Sequence, residues 1–250
     1  DTATERTHNI GQLLYHLLAI NLLTSAHYGD LAALVSIFGL VAIIQLSFST
    51  AIVKFIASAK TEREANNLAK WMFYWSLWAA GGICILIFSL AGLMTDFLHI
   101  SQSRVVYIFA VIVAIAIVSN TGRALLQGFL KFINLSASMI IEVLVKIILT
   151  VIFLYLGYQL FGAAIGLLAG VSAGFIFIWF SIKDRVLGKR EALKEIKPLF
   201  KYSLPVFAQS IALTSMISTD LILVKHFFSP EIAGGYAAIS KFGTIAFFVS

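Results

Sequence analysis

Long apolar segments separated by short polar stretches make up most of this 250-residue chain. A helix needs roughly 20 apolar residues to cross a bilayer core about 30 Å thick. Segments that meet or approach this length lie at about 9–26, 31–53, 71–94, 105–122, 137–160, 161–181, 202–225 and 236–250. They are too long and continuous for the alternating strands, about ten residues each, of an outer-membrane barrel. The pattern therefore predicts an all-α polytopic membrane protein, with seven spanning helices and the start of an eighth.

The composition supports the membrane class. Hydrophobic residues make up 60% of the chain, charged residues make up 12%, and the mean hydropathy is +0.95. Soluble domains are nearer to about half apolar and a quarter charged. The net charge of +6 does not indicate a nucleic-acid partner, because the basic residues lie between apolar segments. Cys84 is the single cysteine, which excludes an internal disulfide and a cysteine-based metal cluster.

The distribution of Lys and Arg predicts the orientation in the membrane. The second-to-third, fourth-to-fifth and sixth-to-seventh connections hold 13 basic residues, with Arg123 counted in the fourth-to-fifth connection. The opposite connections hold only Arg104 and Lys225. Because cytoplasmic loops are enriched in basic residues, we expect the N-terminus in the cytoplasm. We interpret the long basic loop at 182–201 as setting the membrane orientation and attracting anionic lipid. The alternative is a binding site for a partner.

One stretch of sequence occurs twice. SAHYGDLAALVSIFGLVA at 25–42 and SPEIAGGYAAISKFGTIA at 229–246 share six identical positions without a gap, at an offset of 204. We interpret each copy as the end of one helix, a short external loop and the start of the next helix. Six crossings separate the copies, so both have the same orientation, which indicates two parallel six-helix halves.

The repeat sets the expected domain organisation. We predict a first six-helix bundle at 1–181, a basic cytoplasmic linker at 182–201, and helix 7 with a truncated helix 8 of the second bundle at 202–250. Two such halves need about 400 residues, which predicts that the chain is a fragment of a two-bundle transporter. The sequence shows no signal peptide and does not begin with Met.

Three stretches resemble a known family. HYGDLAALVSIFGL with FSTAIVKFIASAK, then GRALLQGFLKFINLSASMIIEVLVKIIL, then LPVFAQSIALTSMISTDLILVKHFFSPEIAGGYAAISKFG are similar to the polysaccharide flippases of the multidrug/oligosaccharidyl-lipid/polysaccharide exporter superfamily. The resemblance implies two six-helix bundles around a central cavity. It also implies export of lipid-linked oligosaccharides across the bacterial inner membrane by alternating access. The polar residues DTATERTH at 1–8 depart from the family pattern.

Such a function would set the partners and the chemistry. The cargo would be an oligosaccharide on a polyprenyl diphosphate, and the other partners would be membrane lipids and polysaccharide-assembly proteins. An anionic diphosphate needs cations, and ionisable residues inside a membrane are costly enough to be functional candidates. The candidates for substrate binding are Lys241, Lys146 and Lys225, and those for ion coupling are Asp220, Glu142 and His16.

Each candidate also has a structural interpretation. Glu142 and Lys146 lie four residues apart on one helix face, so they form either a self-satisfied pair or a cavity-lining pair. Asp220 follows two hydroxyl residues and could bind H⁺ or Na⁺, or simply bond to a neighbouring helix. We predict that Lys241 pairs with Asp220 when the cavity is empty. For Lys225 an ordinary interfacial position is the alternative to a functional role, and for His16 it is hydrogen-bonded packing.

Helix 6 carries a glycine every fourth residue, at Gly162, Gly166, Gly170 and Gly174. Such a ridge of small residues lets two helix backbones approach closely. Packing within the chain and homodimerisation are both compatible with the spacing.

Motifs that the sequence lacks limit the possible functions. The sequence contains no GxxxxGK[ST] nucleotide loop, no HExxH and no GxSxG, so we expect neither ATP chemistry nor an enzyme, and we predict no cofactor. The alternatives within transport are a multidrug/cation antiporter or a peptidoglycan-precursor flippase. The alternative from another class is a membrane-embedded polysaccharide polymerase or ligase. Such an enzyme should have a large external loop, whereas every external loop predicted here is short.

Overall fold

The described residues form eight α-helices in chain order. The structure, a computed structural model, describes residues 2–189, 191 and 197–249, and leaves out the side chains of 1–10, 241–250 and some positions in α2 and α7. The helices are α1 Thr2–Leu22, α2 Ser25–Ala57, α3 Glu62–Leu98, α4 Ser103–Gly128, α5 Phe132–Tyr155, α6 Gln159–Val186, α7 Lys197–Phe227 and α8 Pro230–Val249. The predicted all-α class and helix order are confirmed.

Four of the described helices are long and apolar enough to cross a membrane. They are α3, α4, α5 and α6. Large apolar side chains on α3, such as Trp75, Trp78 and Leu93, are exposed and would face lipid. The α4 helix is the most enclosed of the four and packs between α3, α6 and α2.

Helix ends follow local sequence signals. The α3 helix begins after Thr61, whose side chain accepts a hydrogen bond from the backbone N–H of Glu64 at 3.2 Å. The Glu64 carboxylate accepts one in return from the N–H of Lys60 at 3.0 Å. This is close to the reciprocal arrangement of a capping box, with the return bond displaced by one residue.

The predicted segment at 137–160 has the wrong boundary, because α5 ends at Tyr155 and α6 begins at Gln159. Gly157 lies in the turn with φ +85°. Its N–H donates to the Leu154 carbonyl at 3.0 Å, and the N–H of Tyr158 donates to the Phe153 carbonyl at 3.1 Å. These are the bonds of a Schellman motif, which ends a helix at a left-handed glycine even where the sequence stays apolar.

The basic linker is shorter than predicted, since α6 continues to Val186 and α7 begins at Lys197. The start of the connection is bound to α3. The amide of Asn67 accepts from the N–H of Glu191 at 2.8 Å and donates to the Glu191 carbonyl at 3.0 Å. Trp71 Nε1 donates to the same carbonyl at 2.7 Å. The connection is therefore held against α3 at Glu191.

The two copies of the repeated stretch contact one another. Ser25 is the first residue of α2 and Ser229 immediately precedes α8, so each copy covers the start of a helix. The expectation that the copies also include the ends of α1 and α7 was wrong. A Cβ atom placed on Gly234 would lie 1.9 Å from the Ser25 carbonyl oxygen. One placed on Gly29 would lie 3.0 Å from the Gly234 nitrogen. Small residues in the two copies thus let α2 and α8 approach closely at their N-terminal ends.

Candidate functional site

A buried ion pair joins α4 to α5. The guanidinium of Arg123 contacts the Glu142 carboxylate, with 12% and 9% of the two side chains exposed. Arg123 Nε also donates to Ser138 Oγ at 3.4 Å. Arg123 is therefore part of α4. The count of basic residues used for the orientation had placed it in a cytoplasmic loop. Glu142 pairs with Arg123, which corrects the prediction of a Glu142–Lys146 pair.

Lys146 lies one turn further along α5 and is 1% exposed. Its Nζ donates to Gln12 Oε1 of α1 at 2.7 Å and lies 4.9 Å from the centre of the Tyr15 ring. Both partners are uncharged, and among the described residues no carboxylate forms an ion pair with Lys146. The cluster therefore holds two cations, Arg123 and Lys146, and one anion, Glu142, which contacts Arg123.

The glycines of α6 lie against this part of α5. A Cβ atom on Gly170 would lie 2.8 Å from the Glu142 carbonyl oxygen, and one on Gly174 would lie 3.2 Å from Glu142 Oε2. One on Gly166 would lie 2.0 Å from Thr150 Oγ1, and one on Gly162 would lie 2.9 Å from Phe153 Cβ. The α5–α6 contact therefore leaves no room for side chains on this face of α6, and the geometry favours packing within the chain.

A second buried ion pair joins α2 to α7. Lys225 Nζ lies 2.6 Å from Asp30 Oδ1, with 1% and 2% of the two side chains exposed. The other carboxylate oxygen accepts from the N–H of Ser101 at 3.1 Å and from its hydroxyl at 2.6 Å. Lys225 is therefore buried and paired, which differs from the interfacial position that was its alternative. Asp30 was not among the predicted site residues, although it lies in the HYGD part of the repeated stretch.

Asp220 and His16 occupy matching positions in the repeat, and each bonds to a tyrosine of the next helix. Asp220 Oδ2 accepts from the Tyr236 hydroxyl at 2.7 Å, and the Tyr28 hydroxyl lies 3.3 Å from His16 Nδ1. The side chain of Lys241 lies outside the described residues, so its pairing with Asp220 stays a prediction. Within the described part of the chain, no group of three His, Cys, Asp or Glu residues could hold a metal ion.

Solved structures with the same fold are transporters. The chain matches a structure of a multidrug resistance MATE family transporter of the MOP superfamily, inward-facing, with TM-score 0.69 and 18% identity over 90% of this chain and 56% of that one. An outward-facing structure with the same family description matches with TM-score 0.65 and 19% identity over 86% and 52%. A MATE structure in complex with Br-NRF matches with TM-score 0.63 and 20% identity over 88% and 53%.

These matches show the fold, and the chain spans about half the length of the transporters that it matches. No curated protein matches the chain at a significant level. The family model described as "Polysaccharide biosynthesis protein" matches residues 6–248, which is nearly the whole chain. With its apolar helices, this is an integral membrane protein that belongs to the polysaccharide biosynthesis protein family and has the fold of the MOP superfamily.

Proposed function

We propose that the protein is part of a flippase that moves polyprenyl diphosphate-linked oligosaccharides across the bacterial inner membrane by alternating access, with its N-terminus in the cytoplasm. The observation that carries the proposal is the buried ammonium of Lys146, which donates to the neutral amide of Gln12 and, among the described residues, forms no ion pair with a carboxylate. An unpaired cation in an apolar core is costly, so its retention favours a function that uses the charge. A diphosphate passing through the membrane requires such a cation.

The position of Lys146 suggests how cargo would reach it. The α1 helix packs mainly against α5, and the Gln12 amide of α1 covers the ammonium in this structure. Movement of α1 away from α5 would expose Lys146 to a central cavity, where phosphate oxygens would replace the amide oxygen. A charge-assisted bond to an anion is stronger than a bond to a neutral amide, which supplies the driving force for exchange.

The coupling ion would act at Asp220. Its carboxylate is half-buried and accepts a hydrogen bond from the Tyr236 hydroxyl. Binding of H⁺ or Na⁺ would neutralise this charge and release any cation that it holds, for which Lys241 is the predicted candidate. Glu142 and His16, assigned to coupling from the sequence, are engaged by Arg123 and Tyr28 and stay less direct candidates.

A second candidate is a multidrug or cation antiporter, and the observation that favours it is the shared fold with multidrug resistance transporters. A site for cationic drugs would use acids such as Asp220 and would gain nothing from Lys146. The two functions therefore differ in which residue is essential.

The test uses the full-length protein in a flippase-deficient strain, with surface polysaccharide as the readout. We expect Lys146→Met to reduce the polysaccharide at least about tenfold, because the diphosphate loses its cation, and Lys146→Arg to retain part of the activity. Lys60→Met, at an exposed lysine between α2 and α3, is the matched control and should complement fully. Full complementation by Lys146→Met at normal protein level would refute the proposal. Lost dye efflux in Asp220→Asn, with intact efflux in Lys146→Met, would support the antiporter.

A further inference from the structure

The last turn of α7 makes polar contacts with the first six helices. Lys225 lies in the last turn of α7, Asp30 lies near the start of α2, and Ser101 lies in the connection between α3 and α4. His226 adds a bond from its ring Nδ1 to the Phe97 carbonyl oxygen at 2.7 Å. By the order of the helices and the orientation predicted above, this is the external end.

The Asp30–Lys225 pair spans the two repeat halves, whereas the Arg123–Glu142 pair lies inside the first half. One residue away from Asp30, Gly29 lies against Gly234 of α8 with no space for a side chain. The pair is therefore shielded from water on the side of α8, and both of its side chains are almost fully buried. Separating the external ends of the halves would have to break it.

From this geometry we infer that the Asp30–Lys225 ion pair is a lock that holds the external ends of the two halves closed and is broken when the protein opens to the outside. The inference rests on the proposed alternating-access function and on the predicted orientation.

The chemistry of the pair suits a reversible contact. In a dry interface each charge needs the other, because leaving one charge unpaired is strongly unfavourable. When the interface separates, Asp30 keeps the two hydrogen bonds from Ser101, which belongs to the same half. Lys225, near the end of α7, can extend its ammonium to the aqueous boundary. Once water enters, it hydrates both charges. The ion pair therefore stabilises the closed interface, while the open interface has only a small free-energy cost.

Labelling of a buried cysteine tests the lock without using cargo. Ala237 of α8 is 0% exposed, and Ala237→Cys in a Cys84→Ser background is the reporter for the interface. In Asp30→Asn we expect an impermeant thiol reagent added outside to label this cysteine at least about ten times faster, because the closed interface has lost its ion pair. Asp96→Asn, at an exposed carboxylate near the same end, is the matched control and should leave the rate unchanged.

Two further measurements separate opening from misfolding. Ala110→Cys, in the core of α4 and 0% exposed, should stay unlabelled in every variant. If it is labelled together with position 237, general unfolding explains the result and the inference is overturned. The double variant Asp30→Asn/Lys225→Met leaves no unpaired charge and should still show faster labelling at position 237. An unchanged rate in the double variant would show that the ion pair does not hold the interface closed.

The result is independent of the cargo. If complementation fails to depend on Lys146 while position 237 responds to the loss of Asp30, the proposed cargo is wrong and the lock stands. If the reporter responds only to reagent inside the cell, the orientation is reversed and an external lock is ruled out.

Discussion

A single added methyl group on α6 should destabilise the protein measurably. In Gly166→Ala, the new Cβ atom would lie 2.0 Å from Thr150 Oγ1 and 2.8 Å from both the nitrogen and the Cα of Thr150. The hydroxyl could rotate away, but the two backbone atoms cannot move without shifting α5. The contact must therefore be relieved by separating the two helices at the point where they are closest.

Two opposing effects set the magnitude. Overpacking of a close contact typically costs about 1–3 kcal/mol. Replacing glycine by alanine in a helix interior contributes about 0.5–1 kcal/mol of stability through backbone entropy. The net effect is a loss of about 0–2.5 kcal/mol. For a chain of this size each kcal/mol corresponds to roughly 2–4 °C, so the apparent Tm should fall by up to about 10 °C.

Gly82→Ala in α3 isolates the clash from the entropy term, because no atom lies within 4 Å of a Cβ placed there. This control should raise the apparent Tm slightly. Both variants can be compared with the parent by thermal unfolding in detergent at one heating rate, since unfolding of such proteins is commonly irreversible. If Gly166→Ala stabilises the protein as much as Gly82→Ala does, α5 and α6 are not in close backbone contact and the glycine ridge faces lipid.

Two more predictions concern the charges. Glu142→Gln leaves the Arg123 guanidinium, 12% exposed, without its anion, and the expected loss of stability is about 3–5 kcal/mol. The double variant Arg123→Met/Glu142→Met should recover most of this stability. An equal loss in the single and double variants would show that the broken ion pair is not the cause. For the orientation, single cysteines at Lys60 and Glu231 in a cysteine-free background should react with an impermeant thiol reagent from inside and outside the cell respectively. Labelling of position 60 from outside would reverse the topology.

The helix order could be predicted from the sequence because the length of an apolar segment is a direct consequence of bilayer thickness. The α5–α6 boundary was predicted between 160 and 161, a few residues late, because the residues around the turn are mostly apolar. The signal was Gly157, which adopts a left-handed conformation with φ +85°. Glycine occurs often inside continuous membrane helices as well as at turns, so composition alone does not distinguish the two.

The charged residues of the site could also be predicted only in part from the sequence. Lys146 and Glu142 stood out because each lies in the middle of an apolar segment. Arg123 lies at the predicted end of one, where a basic residue indicates a loop, but α4 continues for five more residues to Gly128. Its partner follows from the three-dimensional approach of α4 to α5, which no local spacing contains. Asp30 was missed for the same reason, since Lys225 is almost two hundred residues away in the chain and adjacent to it in the fold.

The two buried ion pairs therefore have different consequences for movement. Arg123 and Glu142 join neighbouring helices of one half, and Gly174 of α6 lies directly against both side chains. Asp30 and Lys225 join α2 of the first predicted half to α7 of the second, near one end of each helix. Alternating access needs bundles that stay intact and an interface that opens, and a buried charge pair can serve either requirement. Which one it serves is decided by whether its two helices belong to the same half.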